Sequence, residues 1–130
     1  MIDRCIKALS VPWCDEASKM LTAAVEHCHI ADLKLQVENG ASLFKLTQSD
    51  LLIGYYVLRV DILAEHSEAV LVAGAGKHPE IDLTTAIIPV IEKQFTGCKY
   101  IRIHTARAGL VKKLTALGYQ PQEFVLRRAL

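Results

Sequence analysis

Three stretches of this chain hold residue types that could do chemistry. In Ala73-Gly74-Ala75-Gly76-Lys77, two glycines alternate with alanines ahead of a cation. Backbone amides freed by such small residues can gather into a nest for an anion, with Lys77 as counter-charge. The same run can equally be a bulge, or a plain turn between a strand and a helix. In His27-Cys28-His29 a metal is the first thought. Zinc sites show close ligand pairs at recognisable spacing, whereas Cys5 and Cys14 stand at irregular intervals from this triplet. Cys28 also continues the apolar face of its helix, so burial explains it and no metal is expected. The third feature is electrostatic. From Gly97 onward seven basic residues (Lys99, Arg102, Arg107, Lys112, Lys113, Arg127, Arg128) face one acid, Glu123, a local charge of +6. The whole chain carries +1, so the first 96 residues carry −5. That asymmetry points to an anionic ligand near the C-terminal elements, unless the charges are ordinary solvated faces.

The elements that would position these groups belong to a chain of 130 residues, which allows one domain, 1–130. A hydrophobic content of 52% excludes a disordered tail, and aromatics at 6% leave the core to Leu, Ile, Val and Ala. No apolar run reaches the roughly 20 residues that span a bilayer. Met1-Ile2-Asp3-Arg4-Cys5 meets charge too early for a secretory signal, so a cytoplasmic domain with four reduced cysteines is expected.

Along the chain, Ile2 to Leu9 suits a short strand. Ala17, Met20, Leu21, Ala24, Val25 and Cys28 then recur at helical spacing, and a second helix runs from Ala31 to Glu38, stopped at Asn39-Gly40. Beyond Gly40 the period falls to two. Phe44 to Thr47 and Leu51 to Ile62 form a hairpin about the polar turn Gln48-Ser49-Asp50. Ala69 to Ala73 is apolar on both faces, as a central covered strand should be. Asp82 is a natural N-cap for a helix carrying Leu83, Ile87, Ile91 and Phe95, with Pro89 predicting a kink or a late start. Tyr100 to Thr105 alternates as a strand, Leu110, Leu114 and Leu117 mark a last helix ended by Gly118, and Phe124 to Arg128 closes as a strand. The class is α/β of the α+β type: a mixed, mostly antiparallel sheet flanked by helices.

This order resembles the GNAT family of acyl-CoA N-acyltransferases. The stretch VENGASLFKLTQSDLLIGYYVLRVD is similar to that family's helix, glycine cap and first hairpin, and LVKKLTALGYQPQEFVLRR to its last helix, LGY corner and following strand. The resemblance implies an opening between two central strands where an acyl-CoA co-substrate, such as acetyl-CoA, lies. Its pantetheine arm would pair with the backbone of the strand Ala69 to Ala73, Val72 and Ala73 lying at the end nearer the phosphates. Its pyrophosphate would meet Gly74, Ala75, Gly76 and Lys77 and the helix opening at Asp82, Leu83 and Thr84, where orphan amides favour an anion. The resemblance further implies a general base at Glu68, with His104, at the end of the neighbouring strand, as a second group capable of proton chemistry.

The sequence departs from the family pattern in two places. No Arg or Gln precedes the helix in Gly76-Lys77-His78-Pro79-Glu80-Ile81, and Glu80 and Asp82 would repel a pyrophosphate. The position of the family's thiolate-protonating Tyr is Leu114, while Tyr119 occupies an apolar corner. Two functions therefore stand side by side: an acyltransferase acting on an amine, small or protein-borne, and a binding or regulatory module that keeps the fold without the chemistry. A homodimer is compatible with either. Nucleic-acid binding through Arg102, Arg107, Lys112 and Lys113 lacks a reading motif and an aromatic stripe.

Overall fold

The computed structural model describes residues 6–25, 29–105 and 107–130. Five strands form one sheet in the order β1-β2-β3-β4-β5: β1 Ile6–Val11, β2 Ser42–Gln48, β3 Leu51–Ile62, β4 Ser67–Gly76 and β5 Tyr100–Ile103. Neighbours are antiparallel from β1 to β4, and β4 and β5 run parallel. The mixed, mostly antiparallel sheet expected from the period is therefore present, with the run Ala69 to Ala73 in an interior strand.

Helices cover both faces. On one, α1 (Asp15–Thr22) and α2 (Ile30–Glu38) bury Ala17, Leu21 and Leu33 against Leu43, Tyr55, Val57 and Val70. On the other, α3 (Leu83–Lys93) buries Ile87 and Ile91 against Leu46, Ile53, Tyr56 and Leu58. Successive residues of β3 thus feed opposite cores, which is why LLIGYYVLRVDI needs apolar groups at both parities. The last helix, α4 (Ala108–Ala116), buries Leu114.

Several boundaries differ from those the sequence suggests. The first strand lies at Ile6–Val11 rather than from Ile2, residues 1–5 being outside the described residues. α1 ends at Thr22, with Ala23 as C-cap, so Ala24 and Val25 are not helical, and His27 and Cys28 lie outside the described residues. Pro89 sits inside α3 without delaying its start: Asp82 caps the helix directly before Leu83. β5 stops at Ile103, leaving His104 and Thr105 beyond it. Two corrections matter more. The glycine run is neither turn nor nest, because Gly74–Gly76 continue β4, paired with Tyr56, Tyr55 and Gly54. Their bulge lies earlier, where Val57 faces Ala73 and Leu58 faces Leu71, leaving Val72 as the extra residue. And Phe124 to Arg128 forms no strand; it lies exposed beyond α4. A strand needs a neighbour to satisfy its backbone, and alternation alone does not supply one.

The glycines of β4 answer a steric demand. Gly54 and Gly76 face each other across the β3–β4 ladder. A Cβ at Gly54 would run into the Ala75 carbonyl oxygen, and one at Gly76 would lie 2.8 Å from the Ile53 carbonyl oxygen and 2.9 Å from Leu83 Cδ2. At Gly74 the nearest atom is Tyr56 Cβ at 3.6 Å, an ordinary contact. Gly54→Ala should therefore lower stability by about 1–3 kcal/mol through backbone displacement, while Gly74→Ala should leave the thermal midpoint almost unchanged. Thermal denaturation of the two variants side by side checks this.

Candidate active site

The sheet splits where β5 ends. β5 pairs with β4 only from Glu68 to Leu71, through Tyr100 to Ile103. Of the next five residues of β4, Val72 is the bulge and Ala73 to Gly76 remain paired with β3 on one side, and none carries a strand on the other among the described residues. At about 3.3 Å per residue this open edge is ~16 Å long. It leads straight into the loop before α3. The chain after β5 crosses near α1: the Arg107 guanidinium donates to the Ala23 carbonyl oxygen at 3.1 Å, at the C-terminal end of α1 where a cation is favoured.

The loop 77–82 and the opening of α3 are rich in amides, and side chains of the same segment occupy several of them. His78 Nδ1 accepts from the amides of Glu80 and Ile81 at 3.1 and 3.3 Å. That bare Nδ1 fixes the tautomer: Nε2 carries the hydrogen and donates to Gln48 Oε1 at 2.8 Å. The Asp82 carboxylate accepts from the Thr84 amide and from the Thr85 hydroxyl at 3.2 and 3.1 Å, and from Lys113 Nζ at 3.2 Å. Lys113, as the chief cause, holds the Asp82 carboxyl below the usual carboxylate range. Sequence alone anticipates Asp82 as the cap; it gives no sign of His78, whose role depends on a loop conformation. Lys77 is exposed, and its amide donates to the Ile53 carbonyl oxygen rather than to a nest.

The two candidate proton-transfer residues are not brought together. Glu68, the second residue of β4, pairs with Tyr100. His104 comes directly after β5, four residues beyond Tyr100, which places it ~13 Å further along the strand direction. Glu68 belongs to a charge network: its Oε2 lies 3.8 Å from His66 Nε2 and 3.9 Å from Arg102. Arg102 in turn donates to Asp61 at 2.8 Å, and Arg59 donates to Asp61 at 2.7 Å and to Gln36 of α2 at 2.8 Å. His104 is exposed at the mouth of the split.

Around the open edge the remaining polar groups are anchored. The Tyr55 hydroxyl, next to Ala75 in register, donates to Glu16 Oε1 at 2.6 Å with Cys14 Sγ at 3.7 Å. Burial, then the Glu16 bond, pushes that hydroxyl well above its ordinary range, so it stays a donor. Tyr56, on the α3 side, donates to Gln94 at 2.9 Å and is pushed up to about 12 by burial. Leu114 is buried, and Tyr119 donates to Glu92 at 3.2 Å. Two shallow cavities, about 180 Å³ beside Phe44, Leu58 and Phe95 and about 140 Å³ beside Cys98 and Ile101, lie on the α3 face and not in the split. Cys14 and Cys98 are free thiols; Cys5 and Cys28 fall outside the described residues. Among the described residues no helix is long and apolar enough to cross a membrane.

No protein-family profile matches the sequence, and no curated protein matches it significantly. Solved structures do. An acetyltransferase of Trypanosoma brucei superposes with a TM-score of 0.67 at 10% identity, over 97% of this chain and 100% of that one. An aminoglycoside N-acetyltransferase in complex with CoA gives 0.64 at 12% identity, over 97% and 95%. A transcriptional regulator of Bacillus halodurans gives 0.68 at 12%, over 97% and 100%. The chain has the acyl-CoA N-acyltransferase, or GNAT, fold.

The charge network makes a pH-dependent contribution. The hydrogen bond from Arg59, first, and the charge of Arg102 hold the Asp61 carboxyl below its ordinary range. A carboxyl depressed in the native state stabilises the fold above its unfolded pKa of about 4, and that contribution is lost as pH falls through the native value. Asp61→Asn should therefore lower the thermal midpoint at neutral pH, and the gap from wild type should close in acid. Thermal scans across that pH range measure it.

Proposed function

We propose that this chain is an N-acyltransferase that takes an acyl group from an acyl-CoA and passes it to an amine. The observation that carries this reading is the open edge of β4, Val72 to Gly76, running into the capped start of α3. A backbone edge with unpaired N–H and C=O groups suits the amide-bearing pantetheine arm, which can extend the ladder as a strand would. The neighbouring aminoglycoside enzyme, in complex with CoA, shares the fold.

In this reading the acyl thioester supplies the activated acyl group. The protein's share is placement and proton movement. Val72, Ala73 and Gly74 would hold the arm, and Ala75, Gly76 and Lys77 would lie towards the phosphates with Asp82, Leu83 and Thr84. His104, exposed at the mouth of the split, is the better placed acceptor for the amine proton. Glu68 lies about 10 Å before the point of splitting and is engaged by Arg102 and His66, so it would act through intervening water. With Leu114 where a Tyr donor would be, the leaving thiolate takes its proton from solvent.

One observation favours the second reading, a binding or regulatory module without the chemistry. The amides of Glu80, Ile81 and Thr84 are held by His78 and Asp82, and an anionic carboxylate sits at the helix start. A pyrophosphate must displace those partners and overcome that charge.

The two readings separate in a binding and turnover experiment. Acetyl-CoA and free CoA should both raise the thermal midpoint of the wild-type protein, and His78→Ala and Asp82→Gly should each tighten CoA severalfold by releasing amides or removing a negative charge. Release of free thiol in the presence of a panel of primary amines should fall sharply in His104→Ala. No thermal response to CoA in wild type or in either loop variant would leave the non-catalytic module as the function.

A further inference from the structure

The loop between β4 and α3 is closed by a single imidazole. His78 is half-buried, and its two nitrogens have different partners. Nε2 is held from behind by Gln48 Oε1 of β2 at 2.8 Å. Nδ1 accepts from the amides of Glu80 and Ile81, two and three residues ahead, at 3.1 and 3.3 Å. Pro79, between them, has no amide hydrogen and a fixed φ, which helps the chain turn back on the ring. The arrangement is that of an Asx turn with an imidazole nitrogen in place of the carboxamide oxygen. One difference matters: this acceptor exists only while the ring is neutral. An imidazolium carries hydrogen on both nitrogens and accepts nothing. Gln48 can still accept from Nε2, so the charged ring stays anchored to β2. The two loop amides then meet a third N–H where they had a lone pair.

We propose that His78 is a proton-operated gate on the phosphate end of the acyl-CoA site. Neutral, it holds the loop amides closed; charged, it releases them and adds a cationic donor, so that one anion bridges all three N–H groups. The inference rests on the acyl-CoA reading above and adds a control to it. Each consequence of protonation favours an anion: two amides freed, one donor gained, and a positive charge set against the carboxylates of Glu80 and Asp82. Closure and protonation exclude each other, so anion binding and proton uptake are coupled reciprocally. Histidine is the side chain that ordinarily changes charge between about pH 5 and 8. Among the described residues, the charged groups on the elements that meet at the ring are few. Lys77 and Glu80 belong to its own loop, Asp50 to the turn after β2, and Asp82 to the start of α3 with its partner Lys113 from α4. Lys7 of β1 pairs with Thr47, on the face opposite Ile6 and Ala8. These are lysines and carboxylates, whose ordinary titration lies outside that window, which leaves the imidazole as the group that switches.

Two measurements on the whole chain test the gate, the first without ligand. In an NMR titration the amide resonances of Glu80 and Ile81 should move in step with protonation of the His78 ring. The second is calorimetry with CoA lacking its 3′-phosphate, because a phosphate monoester itself titrates at about pH 6 and the pyrophosphate does not. The wild type should bind severalfold more tightly at the acid end of the window and should take up a proton on binding near its middle. His78→Ala leaves the amides free at every pH, and His78→Asn keeps a carboxamide oxygen that accepts from them at every pH. Both variants should bind without pH dependence and without proton uptake, His78→Ala the more tightly. Wild-type binding that is flat across the window, or a pH dependence that persists in His78→Ala, would overturn the gate alone. So would loop amides that ignore the state of the ring. No binding by any of the three proteins at any pH would overturn the acyl-CoA reading and the gate with it.

Discussion

The early end of β5 is the constraint on which the functional half of this molecule depends. Because β5 stops at Ile103, among the described residues β4 has a strand on both sides only as far as Leu71. Beyond that point a strand buried on one face by α1 and α2 is left with a row of backbone groups to satisfy. An unpaired buried amide or carbonyl costs as much as a lost hydrogen bond, so an edge of this kind must meet water or a ligand. The bulge at Val72 falls directly after the last β5 pair, where the strand changes from two neighbours to one. The small residues that follow serve the other edge: Gly54 and Gly76 let β3 and β4 approach where any Cβ would collide.

The loop that follows shows a chain satisfying itself where the fold offers an anion site. A helix start has spare amides and a positive dipole end, and an external phosphate is one way to answer both. Here the answer is internal. A bare imidazole nitrogen takes two loop amides, a carboxylate takes the amide of Thr84, the second residue of α3, and Lys113 balances that carboxylate from α4. An external anion competes with groups already tethered at high effective concentration, so its binding energy must come chiefly from elsewhere along the molecule. The β4 edge is the place that has something left to give. If acyl-CoA binds, the arm rather than the phosphates should carry the affinity.

Much of this was legible in the sequence, for reasons that are local. The boundaries of β3 follow from an apolar run bounded by turn residues, and Ser49 and Asp50 both adopt positive φ in the turn that precedes it. Gly40 and Gly118, at φ +119° and +98°, end helices as a residue without a Cβ can. Asp82 caps α3 as its type and place suggest. What stayed hidden depends on distant partners. Gly74 and Gly76 look like a turn until Gly54 is placed across from Gly76. Phe124 to Arg128 has a strand's alternation without a neighbouring strand. His78 carries no local signature, since its role needs Gln48 from β2 and two amides arranged in a loop. The positions of Glu68 and His104 within the fold were readable; their separation, set by the register of β4 on β5, was not.

The basic excess of the C-terminal third changes meaning once its charges are located. It suggested a surface that attracts an anion, and a charge of +6 over 34 residues would be a strong field if the cations faced solvent together. Three of the seven are engaged within the protein instead. Arg102 is bound to Asp61, Lys113 to Asp82, and Arg107 to the carbonyl end of α1. Each ties a C-terminal element to one from the acidic N-terminal portion. Part of the asymmetry along the chain is therefore the sequence record of two tertiary ion pairs, Arg102 to Asp61 and Lys113 to Asp82, which fasten β5 to β3 and α4 to α3, with Arg107 bonded to a backbone carbonyl beside α1. Removing Arg102 or Lys113 would break a tie between elements as well as removing a positive charge, so a loss of ligand affinity in such a variant would report on the geometry of the split as much as on its field.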